Sequence, residues 1–195
     1  IVDVNFLSAT RDQTATLEGP TRFYRIAIEK GISSTYELFI EATDAAYFEL
    51  FGYASEGHGD VAQLAENNNS LGLAYGTVRI GNNIDIPRLN GGGNYNVSEN
   101  AILWVDGGTV TKPAGTAVVV YGKVKVSDGT FNALINSGIT TRLNGTFEST
   151  GGTTNLNQFR TSVYGSQHQG GYIQSGGVVN LMAGGLSADY YRFCL

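Results

Sequence analysis

The chain has 195 residues, of which 42% are apolar, and its net charge of −5 includes no basic block. These values exclude a disordered chain and argue against a nucleic-acid partner, while the longest apolar run, Ala117 to Tyr121, is too short to span a membrane. Glycine is abundant, with 27 residues, and proline is scarce, with 3, so the composition favours a β architecture with many tight turns.

Residues 1–75 are predicted to form irregular β coils. The chain opens on the strand-like IVDVNFL, and apolar residues alternate through Tyr24, Ile26 and Ile28 and again through 36–40. The EKGISS segment between these two stretches is interpreted as a hairpin or a coil corner. TDAAYFELFG adds a further strand-like stretch.

A loop or short-helix insertion is predicted near residues 53–70. It contains Gly57-His58-Gly59-Asp60, and polygalacturonases carry a Gly-His-Gly tripeptide in their catalytic cleft. Those enzymes surround the histidine with Asn-Thr-Asp, Asp-Asp and Arg-x-Lys motifs, because hydrolysis needs two carboxyl groups that flank the bond. This chain has none of the three motifs, so we interpret GHGD as a solvated loop. The DVAQLAEN segment that follows predicts a single helical turn with Asp60 as N-cap.

From residue 76 onward the sequence repeats. Five segments superpose at spacings of 25, 21, 23 and 25 residues, and each alternates before it reaches a glycine corner. A drifting period of this length predicts one β supersecondary unit per turn of a solenoid. The segments are GTVRIGNNI (76–84), AILWVDGGTV (101–110), GKVKVSDGTF (122–131), GTFESTGGTT (145–154) and GGYIQSGGVV (170–179), and the corners of the last four are Gly108, Gly129, Gly152 and Gly177.

Stacking the five copies gives two columns of residues that we expect to face the core, because alternate residues of a strand point to one face. They are Val78, Leu103, Val124, Phe147 and Tyr172, and Ile80, Val105, Val126, Ser149 and Gln174. In the last copy a shift of one residue would bring Ile173 inward instead. With YYRFCL as a final strand, the chain is expected to form seven or eight coils or partial coils of mostly parallel strands.

The run from NNIDIPRLNGGGNYNVSENAILWVDGGTV (82–110) through FRTSVYGSQHQGGYIQSGGVVNL (159–181) resembles secreted bacterial surface proteins. It is most similar to the very large β-helical, adhesin-like proteins of Bacteroidetes-type bacteria, and the resemblance covers roughly residues 20–195. The resemblance implies a right-handed parallel β-helix in a secreted or cell-surface setting. The fold class is thus all-β, a parallel β-helix with coils of about 21–25 residues, regular over 76–195.

An outward-facing column is expected at Arg79, Trp104, Lys125 and Glu148, three residues after each start. Neighbouring coils lie about 4.8 Å apart, so the only tryptophan would sit between two cations. One interpretation is a stabilising cation–π and salt-bridge ladder. The alternative is a platform on which a sugar ring stacks against Trp104 beside Lys125. A fully buried Trp104 would contradict both.

Two further groups are candidate sites. Asp106 and Asp128 fall on adjacent coils and could approach one Ca²⁺, but the neighbours offer few of the six to eight oxygens that calcium prefers. Tyr164 and His168 lie in YGSQHQGGY, a polar and aromatic loop of the kind that often carries binding. One cysteine and two histidines make a Cys/His metal site implausible, so no cofactor is expected.

The sequence therefore favours a non-catalytic structural or adhesive segment of a secreted or cell-surface protein, located outside the cell. With no starting methionine and a strand at each end, we expect a piece cut from a longer chain. Its expected partners are neighbouring coils or domains of that parent, surface glycans and other surface proteins. The alternative is a carbohydrate-binding or carbohydrate-active β-helix, similar to a polysaccharide lyase or glycoside hydrolase.

Overall fold

The computed structural model describes residues 2–8, 10–51, 69–91, 93–113, 117–162 and 170–188, which form an all-β parallel solenoid of about six turns. In this part of the chain no helix is long and apolar enough to cross a membrane. A 3-10 turn lies at Ala45–Tyr47. The strands are β1 (Val2–Leu7), β2 (Gln13–Leu17), β3 (Thr21–Glu29), β4 (Glu37–Ala42), β5 (Phe48–Leu50), β6 (Leu71–Ile80), β7 (Asp85–Ile86), β8 (Tyr95–Val97), β9 (Ala101–Thr111), β10 (Val118–Val120), β11 (Lys123–Arg142), β12 (Thr146–Ser162) and β13 (Gly171–Ala188).

Each regular coil has three faces. β11 pairs with β12 in three separate segments, residues 123–126, 130–133 and 138–142 of β11. We name these segments, and their equivalents in other coils, the first, second and third face. β12 and β13 pair in the same three segments. All pairings between the named strands are parallel, and one isolated antiparallel bridge joins Asn69 and Asn90 outside them. The predicted parallel β-helix is confirmed.

On the first face the predicted register is confirmed residue by residue. Gly76 pairs with Ala101, Ile102 with Lys123, Lys123 with Thr146 and Thr146 with Gly171, which gives spacings of 25, 21, 23 and 25 residues. Both inward columns align, and the first four members of the apolar column are fully buried. Gln174, the last member of the second column, is exposed and not part of the core, since β13 pairs with β12 alone among the described strands. In the last coil Tyr172 packs against the core while Ile173 is 51% exposed, so the shifted register does not occur.

The N-terminal strands follow the same plan. β3 pairs with β1, β5 and β6, whereas β4 pairs with β2 and β6, so the EKGISS segment is a coil corner and not a hairpin. The solenoid has about six turns instead of seven or eight, because strands such as β4 and β5 lie on successive faces and do not each begin a coil. The predicted strand YYRFCL and the predicted helical turn DVAQLAEN lie outside the described residues.

Two side-chain arrangements were not predicted, one buried and one on the outer side of the coils. The Lys30 side chain is completely buried, and its Nζ donates to the carbonyl oxygen of Arg11 and to Oε1 of Gln13, each at 2.8 Å. Burial lowers the pKa of Lys30, although the Asp12 carboxylate opposes that effect. These two acceptors replace water around the ammonium group and make its burial tolerable.

The second unpredicted feature is an asparagine ladder on the second face. Asn155 Nδ2 donates to Oδ1 of Asn132 at 2.9 Å, and Asn180 Nδ2 donates to Oδ1 of Asn155 at 2.8 Å. The three residues are in register between neighbouring coils. Each side-chain amide therefore hydrogen-bonds to the amide on the next coil. The apolar residues next to the asparagines along each strand point into the core.

The glycine corners predicted at Gly129, Gly152 and Gly177 have the positive φ that only glycine adopts easily, between 62° and 76°. In the coil of β9 the positive φ falls at Gly107 and not at Gly108, because the pairing shifts by one residue where Asp106 meets Asp128. A Cβ at Gly129 would also lie 2.1 Å from the carbonyl oxygen of Gly108. Conformation and space both require glycine there.

Three glycine-to-alanine variants separate these two requirements. Gly19→Ala has open space and no positive φ, so it should leave stability unchanged or raise it by up to about 1 kcal/mol. Gly93→Ala has open space but a φ of 73°, and should cost about 1 kcal/mol. Gly129→Ala should cost more than either, since the methyl group also meets backbone. Urea unfolding measures all three, and equal values for Gly93→Ala and Gly129→Ala would refute the steric part.

Candidate functional site

The outer side of the first face carries one continuous row of side chains across five coils. Because Val78, Leu103 and their equivalents point inward, the next residue of each strand points outward. We name this row the outer ladder. It consists of Phe39, Arg79, Trp104, Lys125 and Glu148, whose backbones pair in this order. The last four members were predicted, and the structure adds Phe39.

Planar and cationic groups alternate along the outer ladder. The Arg79 guanidinium lies 4.6 Å from the ring centroid of Phe39 and 4.5 Å from that of Trp104. On the other side of Trp104, the Lys125 ammonium lies 4.0 Å from the ring centroid. These distances are within the roughly 6 Å over which a ring attracts a cation. Trp104 therefore has a cation on each side.

The edge of the Trp104 ring is held by a hydrogen-bonded chain. Its Nε1 donates to Oγ of Ser127 at 2.6 Å, and that hydroxyl donates to the carboxylate of Asp106. Arg79 Nε donates to the same carboxylate at 2.6 Å, and its Nη2 forms an ion pair with it. Arg79 thus stacks on the tryptophan and also closes a loop back to it through Asp106 and Ser127.

This environment keeps Asp106 ionised. Burial alone would raise the pKa of its carboxyl group, but the hydrogen bonds from Ser127 and Arg79 and the charges of Arg79 and Lys125 together lower it. The group is a structural acceptor held by a cation and a hydroxyl. A catalytic acid needs a raised pKa, so Asp106 does not fit that role.

Carboxylates also lie at both ends of the outer ladder. Glu37 approaches Arg79 at 3.7 Å, and Glu148 pairs with Lys123 at 2.9 Å. Lys123 lies two residues before Lys125 on β11 and has the same outward direction. Cations and carboxylates thus lie next to each other on neighbouring coils, so their charges attract and like charges do not stack.

The geometry favours the ladder interpretation of Trp104 over the sugar-stacking one. The side chain is only partly buried, so neither interpretation fails on burial. A sugar that stacks on an aromatic ring needs one open ring face. Arg79 and Lys125 occupy the two sides of this ring, and Lys125 contributes to the ladder and not to an open platform. A sugar could reach Trp104 only by displacing a cation.

The calcium candidates occupy neighbouring positions, since Asp106 and Asp128 pair across β9 and β11. Asp106 is bound by Arg79 and Ser127, and Asp128 accepts a hydrogen bond from the backbone nitrogen of Gly129 at 2.7 Å. Among the described residues no three or more His, Cys, Asp or Glu side chains group closely enough to hold a metal ion. Asp106 thus belongs to the outer ladder, and Asp128 stabilises a turn.

The remaining candidates fall on parts of the chain that are not described. Tyr164 and His168 lie within residues 163–169, and GHGD lies within 52–68, so they stay predictions. No protein-family model, curated protein or solved structure matches this chain. The functional argument therefore rests on the geometry of the described coils.

A double-mutant cycle measures the contact between Trp104 and Lys125. Lys125→Met keeps the aliphatic stem and removes the charge, and Trp104→Leu removes the ring. We expect a coupling free energy of about 0.5–1 kcal/mol from urea unfolding, because the contact is a partly exposed cation–π pair. Lys123→Met is the matched control, since Lys123 pairs with Glu148 and not with the ring. A coupling of zero between Trp104 and Lys125 would contradict the ladder.

The lowered pKa of Asp106 predicts a pH-dependent contribution to stability. A carboxyl group with a lowered folded-state pKa stabilises the protein above the ordinary value of 3.8, and this stabilisation is lost as the pH falls through the folded-state pKa. Asp106→Asn should therefore cost about 1–3 kcal/mol at neutral pH and less with each step below 3.8. The exposed Asp3→Asn is the control. A difference that persists unchanged to strongly acidic pH would argue against the ion pair.

Proposed function

We propose that this chain is a rigid structural or adhesive β-helical segment of a secreted or cell-surface bacterial protein, with no catalytic role. The observation that carries the proposal is the unbroken, in-register stacking of coils on the first face from β2 to β13. In a solenoid each coil contacts only its neighbours, so stiffness depends on the contacts between successive coils. A rigid segment is therefore expected to have many strong contacts between successive coils.

Three kinds of contact strengthen them here. The inward columns form one hydrophobic cluster that extends from Phe23 to Phe159. The outer ladder adds cation–π contacts and ion pairs on the first face, centred on Trp104. The asparagine ladder adds side-chain hydrogen bonds on the second face, centred on Asn155. Successive coils are thus linked inside and outside, which suits a rigid rod.

The surface placement is supported by the sequence. Only 15% of the residues are charged, and Ser, Thr, Asn and Gly supply the polar surface. Residues 82–110 and 159–181 resemble secreted bacterial surface proteins of the adhesin-like type, and the proposed location follows that resemblance.

The second candidate function is carbohydrate binding or carbohydrate cleavage on the same scaffold. Cleavage is disfavoured because Asp106, the carboxylate beside Trp104, is held by Arg79 and Ser127, and because the net charge of −5 repels acidic glycans. Binding without cleavage is favoured by a groove that is lined by the polar side chains of Glu99, Asn100 and Asn144.

Surface placement is tested on intact cells of the bacterium that produces the protein. Antibodies against the chain should label unpermeabilised cells or the culture medium, and external protease should remove the signal from the cells. A cytoplasmic protein is the control for cell integrity. Labelling that appears only after permeabilisation would overturn the proposed location.

The non-catalytic assignment needs a separate test. The purified chain is incubated with neutral and acidic polysaccharides, and reducing ends and unsaturated products are measured. We expect neither product above the level of a heat-denatured sample. Release of either product above that level would replace the structural assignment with an enzymatic one.

A further inference from the structure

A groove of about 500 Å³ lies where the third face turns into the first. It crosses several coils, and its volume is in the range of small-molecule binding sites. Its lining combines side-chain amides, hydroxyl groups and one acid with a few apolar side chains. The lining residues that matter here are Glu99, Asn100, Ile102, Tyr121, Lys123 and Asn144.

The lengths of the turns create this groove. The turn between β10 and β11 is only Tyr121-Gly122, whereas the turns before and after it, residues 98–100 and 143–145, each have three residues. A Cβ at Gly122 would lie 2.1 Å from the carbonyl oxygen of Ser98, so the short turn is pressed against its neighbour. The short turn forms the floor of the groove, and the two longer turns form its sides. The shape of the groove therefore depends on the lengths of these turns.

Several polar groups in the groove have unused hydrogen-bonding capacity. The side-chain amides of Asn100 and Asn144 and the carboxylate of Glu99 are exposed and make no side-chain hydrogen bond within the described residues. By contrast, Lys123 is paired with Glu148, and the Tyr121 hydroxyl accepts a hydrogen bond from Arg142 at 3.3 Å. The open groups are amides and one acid, with no unpaired cation among the lining residues named above.

The backbone around the groove is already hydrogen-bonded between coils. The nitrogen of Thr146 donates to the oxygen of Gly122 at 2.8 Å, and the nitrogen of Gly76 donates to the oxygen of Asn100 at 2.9 Å. An extended peptide that binds as an added strand needs free backbone groups, and the groups in these two bonds are already used. The exposed side chains are therefore the groups on which we base recognition of a ligand.

We propose that this groove binds a short neutral oligosaccharide. Amide side chains both donate and accept hydrogen bonds, as sugar hydroxyl groups do, while Ile102 and Leu143 provide apolar surface for a sugar ring. An acidic sugar would meet Glu99 and a protein of net charge −5. Asn100 and Asn144 lie two coils apart, roughly 10 Å, which is about the length of a disaccharide. This inference gives the adhesive part of the proposed function a ligand class and rests on it.

The test combines a glycan array with calorimetric titration of the whole chain. The array carries neutral and acidic oligosaccharides, and the titrations use maltose, lactose and chitobiose, with a galacturonate disaccharide and an extended peptide for comparison. We expect binding of at least one neutral sugar. The double variant Asn100→Ala, Asn144→Ala should weaken that binding by at least about tenfold, because two side chains that hydrogen-bond the ligand are lost. Asn94→Ala, an exposed amide on another turn, should leave it unchanged.

The outcomes separate this inference from the proposed function. If the chain binds neutral sugars and the double variant binds equally well, the groove is refuted while a glycan-adhesive role stands. Binding of no probe, or of only the acidic sugar or the peptide, refutes the ligand class. Surface labelling of intact cells decides the proposed location independently of all these results. Matching circular dichroism and urea midpoints of the variants and the parent exclude misfolding as the cause of lost binding.

Discussion

The backbone pairing between successive coils is the constraint on which the rest of the structure depends. From the coil of β9 onward each coil pairs with the previous one along all three faces, so a residue in a paired segment lies directly over its equivalent, about 4.8 Å away. The side chains at equivalent positions of successive coils therefore stack into columns. A column stabilises the solenoid only if its stacked side chains attract one another, as apolar groups, amides and alternating charges do.

The outer ladder and the groove show how this constraint assigns different roles to neighbouring residues. Trp104 lies within a paired segment, so its neighbours on the adjacent coils are fixed, and they are cations that occupy both sides of its ring. Asn100 and Asn144 lie in turns outside the paired segments, and their side-chain amides make no hydrogen bond within the described residues. The most conspicuous aromatic residue is thus used for cohesion, while plain amides in the turns remain available to a ligand.

Much of the first face could be predicted from the sequence, because a strand has a period of two and the spacings between copies could be counted. The position of Trp104 between Arg79 and Lys125 followed from that register. Phe39 was missed because 40 residues separate it from Arg79, and no spacing near 25 connects the two. The asparagine ladder left a readable signal, since Asn132, Asn155 and Asn180 each lie ten residues after the start of a copy, one position beyond the aligned segments.

Other features left no comparable signal. The burial of Lys30 depends on Gln13 and on the carbonyl oxygen of Arg11, which the fold brings together from another coil. The groove depends on one turn being a residue shorter than its neighbours, and sequence patterns place the ends of strands less accurately than that.

The spacing of 21 to 25 residues between coils has a consequence for how such a chain can change. A residue inserted inside a paired segment would exchange core and surface along that strand, because alternate side chains point to opposite faces. A residue inserted in a turn is absorbed locally, as the unequal turns around Tyr121 and Gly122 already show. Mutation can therefore reshape the rim of the groove while every column keeps its register, so the shape of the proposed binding site can vary on one unaltered scaffold.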